Sequence, residues 1–307
     1  MRRCLSHWVQ PCRTLGELAG IAGAFTWALG SVLIRAQTRH GNVLFLNAVR
    51  VLAATVFFLI LVTALGRWSL VLAIPSGALL SLFAAVVAGL VVGDTLFFKS
   101  QEYMGVARAL PVSGVYPLFT LALATVFLHE PLRRRLPAGA ILVTIGLYLV
   151  AGPRRGRDVV LEAAAQRRAL AGIALALAAA LGWACSTMLL RLGLLEVDAL
   201  TANVVRLPMA LGVLVLMLAV QGRLGLARCY GPKALAPVVA AGILGTGLGS
   251  TFFLLSVQLA GAAKAAILSA AAPLFGATMS VLFLGERLTR ANVAGVVLCV
   301  AGVWLVV

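Results

Sequence analysis

Apolar stretches of about 17–25 residues, each long enough to cross a hydrocarbon core of roughly 30 Å, recur along the chain from near Leu15 to Val307. They are broken by Gly, Pro and clusters of charge. This pattern predicts ten helical spans, at roughly 15–34, 43–65, 76–98, 104–128, 136–151, 170–190, 200–220, 235–256, 262–284 and 291–307. The one long polar connector, "GPRRGRDVVLEAAAQRR" at 152–168, falls between spans five and six. It divides the chain into a first unit at 15–151, a linker at 152–169 and a second unit at 170–307.

The second unit repeats the first at an offset of 156 residues. Trp27 matches Trp183, Arg35 matches Arg191, Asn47 matches Asn203, Arg50 matches Arg206, Gly93 matches Gly249, Thr95 matches Thr251, Pro117 matches Pro273 and Glu130 matches Glu286. Shared hydrophobicity would match Leu, Ala and Val, but not a gapless series of Trp, Arg, Asn, Pro and Glu. The chain is therefore an internal duplication. Each half has an odd number of spans, so the second must enter the bilayer from the opposite side. The expected fold is an all-α integral membrane protein of ten transmembrane helices in two inverted five-helix repeats. Such repeats are a common construction of secondary transporters, with the substrate near the midplane between the halves.

Composition excludes a soluble fold: 62% of the 307 residues are hydrophobic and 11% are charged, against roughly a quarter charged in soluble domains. The net charge of +16 would suggest nucleic acid in a soluble protein. Here the basic residues sit in short connectors, where anionic lipid headgroups are the expected partners. The five cysteines (Cys4, Cys12, Cys185, Cys229, Cys299) are odd in number and scattered without ligand spacing, so neither a disulfide framework nor a metal site is expected. The N-terminal segment has no clear cleavage site before a long apolar run and reads as a short tail leading into span one.

Two stretches, "GDTLFFKSQEYMGVARALPVSGVYPLFTLALATVFLHEPL" at 93–132 and "GSTFFLLSVQLAGAAKAAILSAAAPLFGATMSVLFLGERL" at 249–288, resemble the drug/metabolite transporter superfamily with tandem EamA-type domains. In that family a proline-centred helix leads to a Gly-Glu-x-Leu-like turn. The second copy has it at Gly285–Leu288, while the first has His129 in place of the glycine. The resemblance implies that spans one, three, four, six, eight and nine line a central cavity, with two, five, seven and ten more peripheral. It also implies cytoplasmic termini. Counting Lys and Arg by the positive-inside rule points the other way, since the connector set that includes the linker is the more basic one.

Four cations fall within spans: Arg50 and Arg206, and Arg108 and Lys264, each pair related by the repeat. Arg50, in "NAVRV" at 47–51, and its copy in "NVVRL" at 203–207 lie within reach of the interface. They read first as snorkelling or helix-capping arginines, with Asn47 and Asn203 one turn earlier to hold them, and substrate contact is the alternative. Asp94, the only carboxylate clearly inside a span, would face Arg108 across the hairpin of spans three and four. Its copy Ser250 is uncharged, which leaves Lys264 without an obvious carboxylate. Asp94 and Lys264 are thus candidates for proton coupling and for attraction of an anionic or zwitterionic substrate, against salt-bridge and snorkelling readings.

Thr95, Ser250 and Thr251 would add polarity to the cavity. Trp27 and Trp183, away from the interfacial belt, are candidates for its wall. Pro117 and Pro273 would kink the fourth span of each half. The "GTGLGS" at 245–250 lies within a span with no strand before it, so it reads as close helix packing rather than a phosphate loop.

No metalloprotease, serine-elbow or paired intramembrane aspartate motif is present, so an enzyme is not expected, nor is a cofactor. With one carboxylate against four cations inside the spans, the expected function is export of small zwitterionic or anionic metabolites such as amino acids, with protons as the candidate coupling ion. Lipophilic drug efflux is the alternative, followed by a lipid scramblase or membrane scaffold. The expected setting is a bacterial inner membrane, with lipids and substrate as partners, as a monomer or weak homodimer.

Overall fold

A computed structural model describes residues 6–38, 42–104, 109, 112–131, 134–151, 163–272, 275, 279 and 290–307. Among these residues the chain is helical and contains no strand. Five helices are long and apolar enough to span a membrane, and three shorter ones are also apolar.

Span one is the helix Ser6–Thr38, span two Val43–Ala64, span five Arg135–Ala151, span seven Ala199–Val220 and span ten Arg290–Val306. Span six, Ala163–Gly193, begins inside the stretch read as linker. Spans three and eight each contain a π-helical turn at the repeat-equivalent place. Span three runs Ser76–Val86, Val87–Gly93 and Asp94–Met104, and span eight runs Pro232–Ala241, Gly242–Gly249 and Ser250–Ala260, the middle segment of each being π. Span three thus extends past its expected end. Span nine begins at Ala262–Ser269.

Span four departs from the expected single helix over 104–128. A turn at Gly114–Val115 precedes a helix at Tyr116–Phe127, so Pro117 lies in the first turn of a helix rather than at a mid-helix kink. There its missing N–H breaks no intrahelical bond. Pro273 lies outside the described residues.

The duplication governs local structure. Asn42 and Asp198 occupy equivalent N-cap positions: Asn42 accepts from Phe45 N at 3.0 Å, and Asp198 from Leu200 N and Thr201 N at 3.1 and 3.2 Å. Spans two and seven both end at a glycine with positive φ, Gly66 at 63° and Gly222 at 66°. The following amides, Arg67 N and Arg223 N, reach back to Val62 O and Leu218 O, the Schellman closure that favours glycine at that position.

Packing is pairwise across the repeats. Span one packs on span eight as span six packs on span three, while spans two and seven form one pair and five and ten another. The two halves interlock rather than standing side by side. Spans two and seven share a core that includes Leu46, Phe58, Leu207 and Leu214. Leu72, Leu80, Val220 and Trp304 stay exposed, as expected of residues facing lipid. The ion pair Arg67–Asp198 at 3.0 Å and the bond from Asn42 N to Tyr230 Oη at 2.9 Å each join connectors that alternation of the spans assigns to one membrane face.

Among the described residues His129, which stands where the other half has Gly285, is the non-glycine residue with positive φ (52°). A left-handed backbone costs a side-chain-bearing residue roughly 1–2 kcal/mol. His129→Gly removes that cost and adds about 0.4–1 kcal/mol of unfolded-state entropy. The expected net effect is a small stabilisation, read as a higher melting temperature in detergent.

Candidate functional site

The two π-helical turns build the site. Their glycines allow the indoles of the opposite half to lie against bare backbone. A Cβ at Gly93 would come 2.7 Å from Trp183 Cδ1, and one at Gly249 would come 2.6 Å from Trp27 Cδ1. Each indole also meets a repeat-equivalent phenylalanine: Trp183 meets Phe97 at 5.1 Å and Trp27 meets Phe253 at 5.2 Å between ring centroids. π-helical turns of this kind are frequent at functional sites.

Between the indoles lies a cavity of about 410 Å³ walled by both halves, with Asp94, Tyr116, Arg206 and Thr246 beside Trp27 and Trp183. This is within the range of small-molecule sites. Trp183 Nε1 donates to Asp94 Oδ1 at 2.8 Å, which fixes the carboxylate at the first turn after the π segment. The Tyr116 hydroxyl donates to Ala266 O at 2.9 Å and lies 2.5 Å from Ser269 Oγ, tying span four to span nine. Arg50 donates from Nη2 to Thr246 Oγ1 at 3.2 Å and lies within electrostatic reach of Asp94. Spans two and seven, which the resemblance treats as peripheral, thus bring Val51 and Arg206 to the cavity wall.

Several expected site residues lie elsewhere. Arg108 is outside the described residues, and the partner seen for Asp94 is Trp183. Ser250 and Thr251 do not line the cavity. Ser250 Oγ donates to Asn203 Oδ1, and Asn203 Nδ2 donates to Thr251 Oγ1, both at 3.1 Å. Asn203 is fully buried and is used to join spans seven and eight rather than to hold Arg206. Thr95 is exposed, since the helix turns it away from the cavity.

Lys264 is not an unpaired cation, because its Nζ forms an ion pair with Glu17 of span one. The sequence pattern hid this pairing because the repeat places Ile173 opposite Glu17. Glu17 is 5% exposed, and removing one partner of a buried pair costs about 3–5 kcal/mol, whereas replacing both by apolar groups is often neutral. Lys264→Met is therefore expected to lower the melting temperature strongly, and Glu17→Leu/Lys264→Met to recover most of it. Equal losses in the single and double variants would count against the pairing.

Glu130 and Arg191 close the junction of spans eight and nine. The Glu130 carboxylate accepts from Ala262 N at 2.8 Å and Ala263 N at 3.3 Å, at the N-terminus of span nine. The Arg191 guanidinium donates to Val257 O at 3.0 Å and Gln258 O at 2.5 Å, near the C-terminus of span eight. The two side chains lie 3.9 Å apart. Each charge meets the helix end of favourable dipole, and Gly261, with φ 96°, leaves room for the carboxylate.

Tyr116 and Thr246 are cavity residues that the sequence reading missed. Their counterparts are Ala272 and Leu90, so a search for chemistry shared by both halves passes over them. The available signal was the opposite one, polar residues at which the halves differ.

The EamA-like transporter family matches the chain twice, at residues 14–152 and 170–307. An uncharacterized transporter of Archaeoglobus fulgidus is 26% identical over 296 residues, covering 94% of this chain and 96% of its own. The uncharacterized transporter YvbV of Bacillus subtilis is 25% identical over 139 residues, 44% of each chain. A protein crystal structure superposes with a TM-score of 0.78 at 18% identity, covering 95% of this chain and 96% of that one. That likeness concerns the fold alone.

Proposed function

We propose that this chain, which belongs to the EamA-like transporter family, exports small zwitterionic or anionic metabolites such as amino acids across a bacterial inner membrane. The observation that carries this reading is the cavity between the halves, which has the carboxylate of Asp94 and the guanidinium of Arg206 on its walls. A lipophilic cation would gain from Asp94 and the indoles but would meet Arg206 as a like charge. A solute with a carboxylate meets a complementary group, and one that also carries an ammonium meets two. Rocking of the interlocked halves about the cavity would expose it to each face in turn, and Asp94 supplies the group that takes up and releases a proton.

Counterflow in proteoliposomes tests the substrate class. Vesicles preloaded with a mixture of amino acids and small organic anions are expected to accumulate labelled members of that mixture. Accumulation of lipophilic cations in place of these solutes would transfer the protein to drug efflux.

A further inference from the structure

The repeat copied one arginine into two different settings. Arg50 donates from Nη2 to Thr246, although its Nε, like that of Arg206, is buried without an acceptor. Arg206 stands on the cavity wall with its Nε buried and without an acceptor. Among the described residues no hydrogen bond or ion pair to its guanidinium is found. A guanidinium carries five donors, and a charged group inside a membrane is expensive unless something completes it. Packing alone would not retain it there, since an apolar residue would fill the same wall at lower cost. The open space that the residue lines is the cavity itself.

We propose that Arg206 is the anchor for a single carboxylate of the transported solute. The planar fork of a guanidinium matches two carboxylate oxygens, a match that an ammonium does not reproduce. Thr246 engages the twin arginine, Arg50, and it is Arg206 that lines the cavity, so that the cavity offers one free anion site and not two. The substrate class that follows is monocarboxylates, zwitterionic ones included. Amides, esters and dicarboxylates would be disfavoured. This deepens the transport reading above and rests on it.

The test is competition against counterflow of labelled leucine in proteoliposomes, with leucinamide and succinate as competitors. For the wild type, unlabelled leucine competes well and leucinamide poorly. Arg206→Gln is expected to raise the KM for leucine by about tenfold or more and to abolish the preference for leucine over leucinamide. Arg206→Lys, which keeps the charge but loses the fork, falls between. A wild-type KM and preference in Arg206→Gln would overturn the assignment while leaving transport intact. Absence of leucine and other carboxylate exchange in the wild type, with lipophilic cations moving instead, would overturn the transport reading and this one with it. Should Arg206→Gln not fold, as judged by its melting profile, Thr246→Val decides: release of Arg50 is expected to make succinate compete several-fold better, and an unchanged response to succinate would overturn the proposal.

Discussion

Asp94→Asn is expected to cut accumulation driven by a pH gradient strongly while retaining solute exchange, with a higher KM for solutes that carry an ammonium. Asparagine keeps an oxygen at the position that accepts from Trp183 Nε1, so the first turn after the π segment stays anchored. It cannot take up or release a proton, so whatever proton movement the carboxylate supports ends with the substitution. Coupling free energies between two ligands are typically about 1–3 kcal/mol, or roughly 5–150-fold in affinity. The ratio of gradient-driven to exchange transport should fall by a factor in that range. Proteoliposomes with an imposed pH gradient measure one, and counterflow at equal pH the other. Undiminished uphill transport by Asp94→Asn would remove this residue from any coupling role.

The second large effect concerns stability and spares the cavity. Spans five and ten approach through glycines placed symmetrically by the repeat: Gly139 faces Gly302, and Gly146 faces Gly295. A Cβ at Gly146 would lie 2.6 Å from both Cys299 Sγ and Gly295 O, and one at Gly139 would lie 2.8 Å from Gly302 O. A backbone oxygen cannot rotate aside, so relief requires the two helices to separate. Close approach through small residues is what drives helix association in lipid, where the hydrophobic effect does not. Overpacking of this kind costs about 1–3 kcal/mol or more. Gly146→Leu should therefore show a large drop in melting temperature in detergent. Gly212→Ala is the control, since a Cβ there meets nothing within 4 Å. It is expected to be neutral or slightly stabilising, because alanine favours the helix by up to about 1 kcal/mol over glycine.

The legible part of the fold was the part written twice. The paired indoles Trp27 and Trp183 and the glycines Gly93 and Gly249 each recur at one offset, so each position supplied a second witness for its partner. Span four was misread because apolar residues flank Gly114–Val115 on both sides, and hydropathy does not register a turn within an apolar run. Arg206 was read as snorkelling from its depth along the helix. Depth ignores azimuth, and the pairing of spans two and seven turns that face towards the cavity. Much of the polarity of the site lies where the halves diverge, with Asp94 opposite Ser250, Thr246 opposite Leu90 and Tyr116 opposite Ala272, and outside the cavity Glu17, the partner of Lys264, stands opposite Ile173. Contacts between non-equivalent positions leave no periodic trace in one sequence.

Alternating exposure of the cavity is most directly measured by thiol labelling of Ala210→Cys, on the cavity wall, in a background where Cys4, Cys12, Cys185, Cys229 and Cys299 are replaced. A membrane-impermeant maleimide is applied to right-side-out and, separately, to inside-out vesicles. Alternating access predicts labelling from both sides, slowed in each case by the exchanged solute. Labelling from one side alone, at a rate indifferent to solute, would contradict it, because the cavity would then be a fixed pocket and not a transport site.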